Sequence, residues 1–162
     1  MPPEPADVVG LLLARGLTIA TGESLTAGLV AATLAEVPGC SSVLRGGVVA
    51  YQADVKASLL DVTDEALGEG LVSRAVAEAL AAGAARRLGA DIGIGTTGVA
   101  GPDSHDGEPV GSVWIAVVTP DGAAARHLVL AGDRAGIRCQ TVEACWDLVI
   151  DTLAPAPDSP RP

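Results

Sequence analysis

The sequence predicts an α/β fold, a single-domain sandwich in which helices flank a mixed β-sheet. Three observations lead there. Helix-like and strand-like stretches alternate along the chain, the pattern of crossover connections between parallel strands. A Pro-Asp-Gly turn at residues 120–122 joins two neighbouring strand-like runs; this adds an antiparallel hairpin and makes the sheet mixed. The 162 residues are 49% hydrophobic and only 2% aromatic, so a core of ordinary size must be filled by Ala, Val and Leu.

The elements follow in order. "ADVVGLLLAR", residues 6–15, has helical spacing and is closed by Gly16. "LTIAT" reads as a short strand. Residues 24–35, "SLTAGLVAATLA", read as a helix with Ser24 as its N-cap. A turn surrounds Pro38-Gly39. "GGVVAY" reads as a second strand ending at Tyr51, and "DVKASLL" as a short helix capped by Asp54. The amphipathic run "SRAVAEALAAGAARRL" is capped by Ser73 and ended by Gly89. "ADIGIGTTG" reads as a buried strand and "AGPDSHDGEP" as a loop. "GSVWIAVVTP" and "AAARHLVLAG" form the hairpin, and a final helix runs from near Asp133 to about Leu153. No internal linker or repeat divides residues 6–153. The proline-rich ends, 1–5 and 154–162, are expected to be mobile tails.

Net charge is -10, from 20 acidic and 10 basic residues. Such a field repels nucleic acid and anionic membrane, so neither is an expected partner. An anionic ligand needs a local pocket of Arg or backbone N–H groups. The uncharged runs are too short and too polar to span a bilayer, and "MPPEPADVVG" lacks the basic region of a signal peptide; a cytoplasmic location is expected. Cys40, Cys139 and Cys145 are odd in number and form no C-x-x-C, so all three are expected to be small buried thiols. His105 and His127 are too scattered for a metal site, and no metal or cofactor is expected.

The stretch "YQADVKASLL", residues 51–60, holds the chain's one tyrosine and its one lysine; the other nine cationic side chains are arginine. Arginine holds its proton at any working pH, whereas a desolvated lysine loses it. A position that keeps lysine therefore suits a general base. The plainer readings are a surface lysine and a strand-end aromatic with its hydroxyl in water. Tyr51 and Lys56 stand where a strand meets the following helix, the usual place for a ligand site in an α/β fold. Just upstream, "PGCSS" offers Ser41 and Ser42, hydroxyls that a neutral lysine can activate; adjacent serines also suit a simple turn.

Three further segments attract attention. In "TGESLTAGL" a strand runs into a helix start, whose free N–H groups suit an anion; plain capping by Ser24 is the alternative. "GIGTTG" matches G-x-G-x-x-G, but no helix follows, so it is no dinucleotide fingerprint. Its glycines serve close approach of the backbone to a ligand or a neighbouring element. Arg134 and Arg138 are spaced i, i+4 at a helix start and can clamp a phosphate or carboxylate, or pair with surface acids.

Together and in this order these segments resemble the C-terminal domain of the competence/damage-inducible CinA proteins. The matching words are "TGESLTAGLVAATLAEVPG", "GGVVAYQADVKASLLDV", "LVSRAVAEALAAGAARRLGADIGIGTTGVAGP", "PVGSVWIAVV" and "GDRAGIRCQTVEA", covering about residues 6–153. The resemblance implies a nicotinamide-nucleotide amidase: metal-free hydrolysis of nicotinamide mononucleotide to nicotinate mononucleotide and ammonia, within pyridine-nucleotide salvage, by a homo-oligomer. It implies Ser41 as nucleophile, Lys56 as base and Tyr51 as its partner. It assigns Ser24, Thr26, Gly28, Thr97 and Arg138 to the substrate, with Arg134 a further candidate. It carries no expectation for the separate N-terminal domain of full-length members. Three positions depart from the pattern: Cys40 replaces the first serine of the family's Ser-Ser pair, whose second member is Ser41 here, Ala27 replaces a glycine, and Cys139 replaces an arginine. A nucleotide-binding module with little turnover, an amidase for another small amide, and a structural subunit remain the alternatives.

Overall fold

The computed structural model describes residues 1–154, so the tail expected at 154–162 lies, apart from Ala154, outside the described residues. Five strands, β1 (Ile19–Glu23), β2 (Leu44–Val49), β3 (Ile92–Gly98), β4 (Ser112–Thr119) and β5 (Gly122–Val129), form one sheet in the order β2-β1-β3-β4-β5. β1 runs parallel to β2 and β3, and β3, β4 and β5 are successively antiparallel. The sheet is therefore mixed, with the expected hairpin at β4–β5.

Helices cover both faces. α1 (Pro5–Arg15), α2 (Leu29–Ala35) and α6 (Arg134–Leu153) pack on one side, burying Val8, Leu12, Val30, Leu34 and Trp146 against Ile92, Ile94, Ile115 and Val117 of the sheet. α3 (Ala53–Leu60), α4 (Asp64–Gly68) and α5 (Arg74–Leu88) lie on the other, around Leu60, Val76 and Leu80. α5 approaches the sheet so closely that a Cβ on Gly93 would lie 1.9 Å from the Ala81 carbonyl oxygen, and one on Gly95 2.0 Å from that of Ala77. Gly93 and Gly95 of "GIGTTG" serve helix–sheet contact, one of the two uses expected of its glycines, while Gly98 lies against Val113 and Ser112 of β4.

Local signals account for most boundaries. Gly16 and Gly89 end α1 and α5 in the left-handed conformation, and Ser73 and Asp133 cap α5 and α6 through their side-chain oxygens. Pro5, placed in the tail by the sequence reading, opens α1, with Glu4 as its N-cap. α4, capped by Thr63, was not anticipated; at five residues it has too little periodicity to read. Asp54 lies in the first turn of α3, and Gln52 occupies the cap position.

One difference bears on function. α2 begins at Leu29, with Gly28 at the N-cap, so Ser24 caps nothing. The buried Glu23 carboxylate does that work from the end of β1, accepting hydrogen bonds from Val30 N at 2.9 Å, Ala31 N at 3.1 Å and Thr21 Oγ1 at 2.9 Å. The periodicity of "SLTAGLVAATLA" suggested a longer helix because Leu25 is buried; it is buried from a turn.

Candidate active site at the carboxyl ends of the parallel strands

The ends of β1, β2 and β3 converge at one edge of the sheet. Pairing continues one residue past the strands: Ser24 N donates to Thr96 O at 3.0 Å, and Ala50 N to Glu23 O at 2.9 Å. Ser24, Ala50–Tyr51 and Thr97 are therefore neighbours although 73 positions separate Ser24 from Thr97 along the chain. This is the crevice position that open α/β sheets offer to ligands.

Lys56 reaches into it from the first turns of α3. Its side chain is only 2% exposed. Nζ lies 2.9 Å from Ser24 Oγ, 2.9 Å from Ala50 O and 2.6 Å from Tyr51 O. Burial pulls its pKa down to about 8, because an ammonium loses water on desolvation and, among the described residues, no carboxylate pairs with it. The geometry suits either protonation state. Two N–H bonds are spent on the two backbone carbonyls, so the remaining position on nitrogen faces Ser24 as an N–H or as a lone pair.

A pocket of about 300 Å³ opens above this pair. Ser24, Tyr51, Lys56, Thr97, His105 and Arg134 line it, with one wall formed by residues 98–104. Arg134 fastens the rim: Nη1 donates to Gly101 O at 2.6 Å and Nη2 to the Tyr51 hydroxyl at 2.7 Å. Thr97 Oγ1 donates to Leu71 O at 2.6 Å, which holds the loop before α5 against the pocket. The backbone N–H of Leu25, the residue after Ser24, has no hydrogen-bond partner among the described residues, although Leu25 is 2% exposed and lines the pocket. An unpaired buried N–H beside a serine hydroxyl is a donor awaiting an acceptor.

The arrangement corrects several sequence expectations. Ser41 does not meet Lys56. It sits exposed in a 3-10 turn, Cys40–Ser42, at the amino end of β2, and the six residues of that strand, about 20 Å of extended chain, lie between it and the lysine site. Strand direction is the cause: ten residues before Tyr51 in sequence means the far edge of the sheet. The start of α2 is no anion site for a ligand, because Glu23 already occupies its N–H groups. Arg138 does not line the pocket; it donates to Leu25 O at 2.9 Å and Thr26 O at 2.8 Å, bracing the turn that carries Ser24. Thr26 shares a buried hydrogen bond of 2.8 Å with Thr96, and Gly28 takes a left-handed φ of 93°; neither lines the pocket. Of the cysteines only Cys145 is buried, Cys40 being half-buried and Cys139 exposed. Burial pushes the Cys145 thiol pKa up, and the nearby Glu23 adds to the shift.

Sequence reasoning missed His105 as a lining residue and Glu23 as a cap. Only a polar loop directly after "TGVAGP" hinted at the first; nothing in the sequence separates Glu23 from a surface acid. Ala27 holds φ of 49°, a left-handed conformation that costs a non-glycine residue about 1 kcal/mol.

The fold and the site define an α/β protein that sets a serine against a desolvated lysine where parallel strands end. The chain belongs to the CinA C-terminal domain family, whose model matches residues 4–153. It is 48% identical over 153 residues to a CinA-like protein of Frankia casuarinae, covering 94% of this chain and 35% of that protein. It is 49% identical over 140 residues to a putative competence-damage inducible protein of Desulforamulus reducens, covering 85% of this chain and 34% of the relative. The chain thus spans about a third of the length of these curated relatives. Solved structures agree over more than nine-tenths of the chain. A CinA superfamily protein from Klebsiella pneumoniae superposes with a TM-score of 0.88 at 30% identity, covering 92% of this chain and 94% of the other. The competence/damage inducible protein CihA from Agrobacterium tumefaciens superposes with a TM-score of 0.83 at 33% identity, covering 93% and 98%. Among the described residues no helix is long and apolar enough to cross a membrane.

Proposed function

We propose that this chain is an amidohydrolase that converts nicotinamide mononucleotide to nicotinate mononucleotide and ammonia, with Ser24 as nucleophile and Lys56 as its base. The observation that carries the reading is the 2.9 Å contact between Lys56 Nζ and Ser24 Oγ, made by a buried lysine titrating near pH 8. A serine hydroxyl needs a neighbouring base to become a nucleophile, and a lysine serves only when burial holds its amine neutral.

The steps balance. Neutral Lys56 takes the Ser24 proton as Oγ attacks the carboxamide carbon, and the carbonyl oxygen becomes an oxyanion. The Leu25 N–H is the donor nearest the nucleophile in the chain that has no other partner, and it suits that charge. Lys56 then returns the proton to the nitrogen, which leaves as ammonia. Water, deprotonated by the same amine, attacks the seryl ester; the bond to Ser24 Oγ breaks, Lys56 returns the proton to that oxygen, and the acid is released. No step requires a metal. Tyr51 supports the base through its backbone carbonyl, and its hydroxyl, held by Arg134, faces the rim. The substrate phosphate is assigned to Arg134, the arginine that lines the pocket, rather than to Arg138.

Family membership supports a pyridine-nucleotide substrate, and the pocket's size suits a small ligand. The test is ammonia release from nicotinamide mononucleotide by the wild type and by Ser24→Ala. Turnover that survives Ser24→Ala overturns the nucleophile. Turnover of other small amides but not of the mononucleotide overturns the substrate. Binding of the mononucleotide without ammonia release returns the chain to a binding module.

A further inference from the structure

The pocket wall belongs to the loop between β3 and β4, residues 99–111. Its base is closed by backbone: Val99 N donates to Ser112 O at 2.9 Å and Gly111 N to Val99 O at 2.8 Å. Beyond the base the loop is long, exposed and polar, and few contacts hold it. Among the described residues, two side-chain hydrogen bonds tie residues 100–110 to the rest of the molecule. One is Arg134 to Gly101 O, inside the site already described. The other joins Glu108 to Ser112.

That second tie is built with care. Ser112 is buried, 2% exposed, at the first position of β4. Its hydroxyl donates to Glu108 Oε2 at 2.9 Å and lies 2.9 Å from His127 Nε2 on β5. A hydroxyl has one proton. With that hydrogen bond donated to the glutamate, the serine oxygen accepts from the Nε2–H tautomer of His127. The His127 ring is fixed in turn by stacking on Trp114, with centroids 4.9 Å apart and planes 25° apart. Glu108 and His105 exchange both backbone hydrogen bonds, His105 N to Glu108 O at 3.1 Å and Glu108 N to His105 O at 2.9 Å. Fixing Glu108 therefore fixes His105, and His105 lines the pocket.

We propose that Glu108, Ser112 and His127 form a fastener that holds Pro102–His105 in place as the wall of the substrate pocket, so that all three are positioning residues for binding. None of the three lines the pocket. The fastener acts through the paired backbone of residues 105 and 108, and the stacked Trp114–His127 pair is its anchor on the β4–β5 hairpin. The proposal rests on the amidase reading for its effect on turnover, but its structural half stands without any substrate.

The experiment has two arms. Amide hydrogen exchange of the free protein reads the loop in Ser112→Ala, Glu108→Ala and Glu108→Gln. Exchange over residues 101–109 should speed up about tenfold or more in the first two, the scale of losing a hydrogen bond to a charged acceptor, while β3, β4 and α5 exchange as in the wild type. Glu108→Gln keeps an acceptor oxygen and should restore most of the protection. In the second arm, Ser112→Ala should raise KM for nicotinamide mononucleotide several-fold with little change in kcat, and Glu108→Gln should stay close to wild type. Wild-type exchange of the loop in Ser112→Ala overturns the fastener, as does equal acceleration across the whole sheet. A loosened loop with unchanged KM overturns its role in binding. A wild type that fails to turn over the mononucleotide counts against the amidase reading alone, and the exchange arm still decides the fastener.

Discussion

Lys56 Nζ lies 2.9 Å from Ser24 Oγ, across 32 positions of sequence, at a place where the lysine is almost wholly shielded from water. Ser24→Ala should lower kcat for ammonia release by on the order of 10³-fold or more and leave the fold intact. Lys56→Arg keeps the charge but cannot shed its proton, so a loss of about 10²–10⁴-fold is expected. Ser41→Ala should turn over like the wild type. A dead Ser41→Ala beside an active Ser24→Ala would reverse the assignment.

The two arginines of α6 should separate kinetically. Arg134 lines the pocket, so Arg134→Ala should mainly raise KM for the mononucleotide, and the riboside, lacking the phosphate, should bind poorly to the wild type and respond little to the change. Arg138 braces Leu25 O and Thr26 O. Arg138→Ala should lower kcat by loosening the Ser24 turn and cost about 1–3 kcal/mol of stability, seen as a lower Tm. Identical kinetic profiles for the two variants would remove the distinction.

Lys56 also makes stability depend on pH. Its pKa is about 8 when folded against an ordinary value of 10.5. Below pH 8 both states hold the proton, and folding bears the full cost of burying an ammonium. Between about 8 and 10.5 the unfolded chain binds more protons, so this residue's contribution rises with pH, by about 3 kcal/mol at most. Cys145 acts oppositely: its thiol stays protonated when folded and ionises when unfolded, so its share falls above its ordinary value of 9.0. Urea unfolding of wild type and Lys56→Met, compared at pH 7.5 and 10, isolates the lysine because Cys145 is common to both. The wild type should gain on Lys56→Met as pH rises. Activity should show an ascending limb with its midpoint near pH 8.

The contact between α5 and β3 tolerates no side chain. Gly95→Ala places a Cβ against the Ala77 carbonyl, and α5 must lift from the sheet to admit it. A loss of about 1–3 kcal/mol is expected, read as a lower urea midpoint, with α5 the first helix to lose exchange protection. A variant as stable as wild type would mean that the helix shifts at little cost.

Much of the fold was legible because its signals are local. Glycine after a helical run, serine or aspartate before one, and Pro-Asp-Gly between two strands are each decided within a few residues. Hence α5, α6 and the β4–β5 hairpin lie where the sequence puts them. The extent of α2 was misread for the opposite reason. Leu25 keeps the helical period, but its burial comes from the turn that presents Ser24, and the charge that caps α2 comes from a strand residue, Glu23.

By itself the sequence determined the α/β architecture, the family, and the singular Lys56, because composition, spacing and motif are properties of the chain alone. Only the tertiary structure decided which serine that lysine meets. Ser41 and Ser24 are alike to a reader of spacing, 15 and 32 positions from Lys56. Strand direction separates them: β2 carries Ser41 to its amino end, while the parallel pairing of β1 with β2 brings the residue after Glu23 beside the residues after Val49. The packing of α6, likewise tertiary, makes Arg138 a brace for the Ser24 turn and leaves Arg134 at the pocket. Such neighbours are set by sheet order and helix packing, which no local pattern encodes.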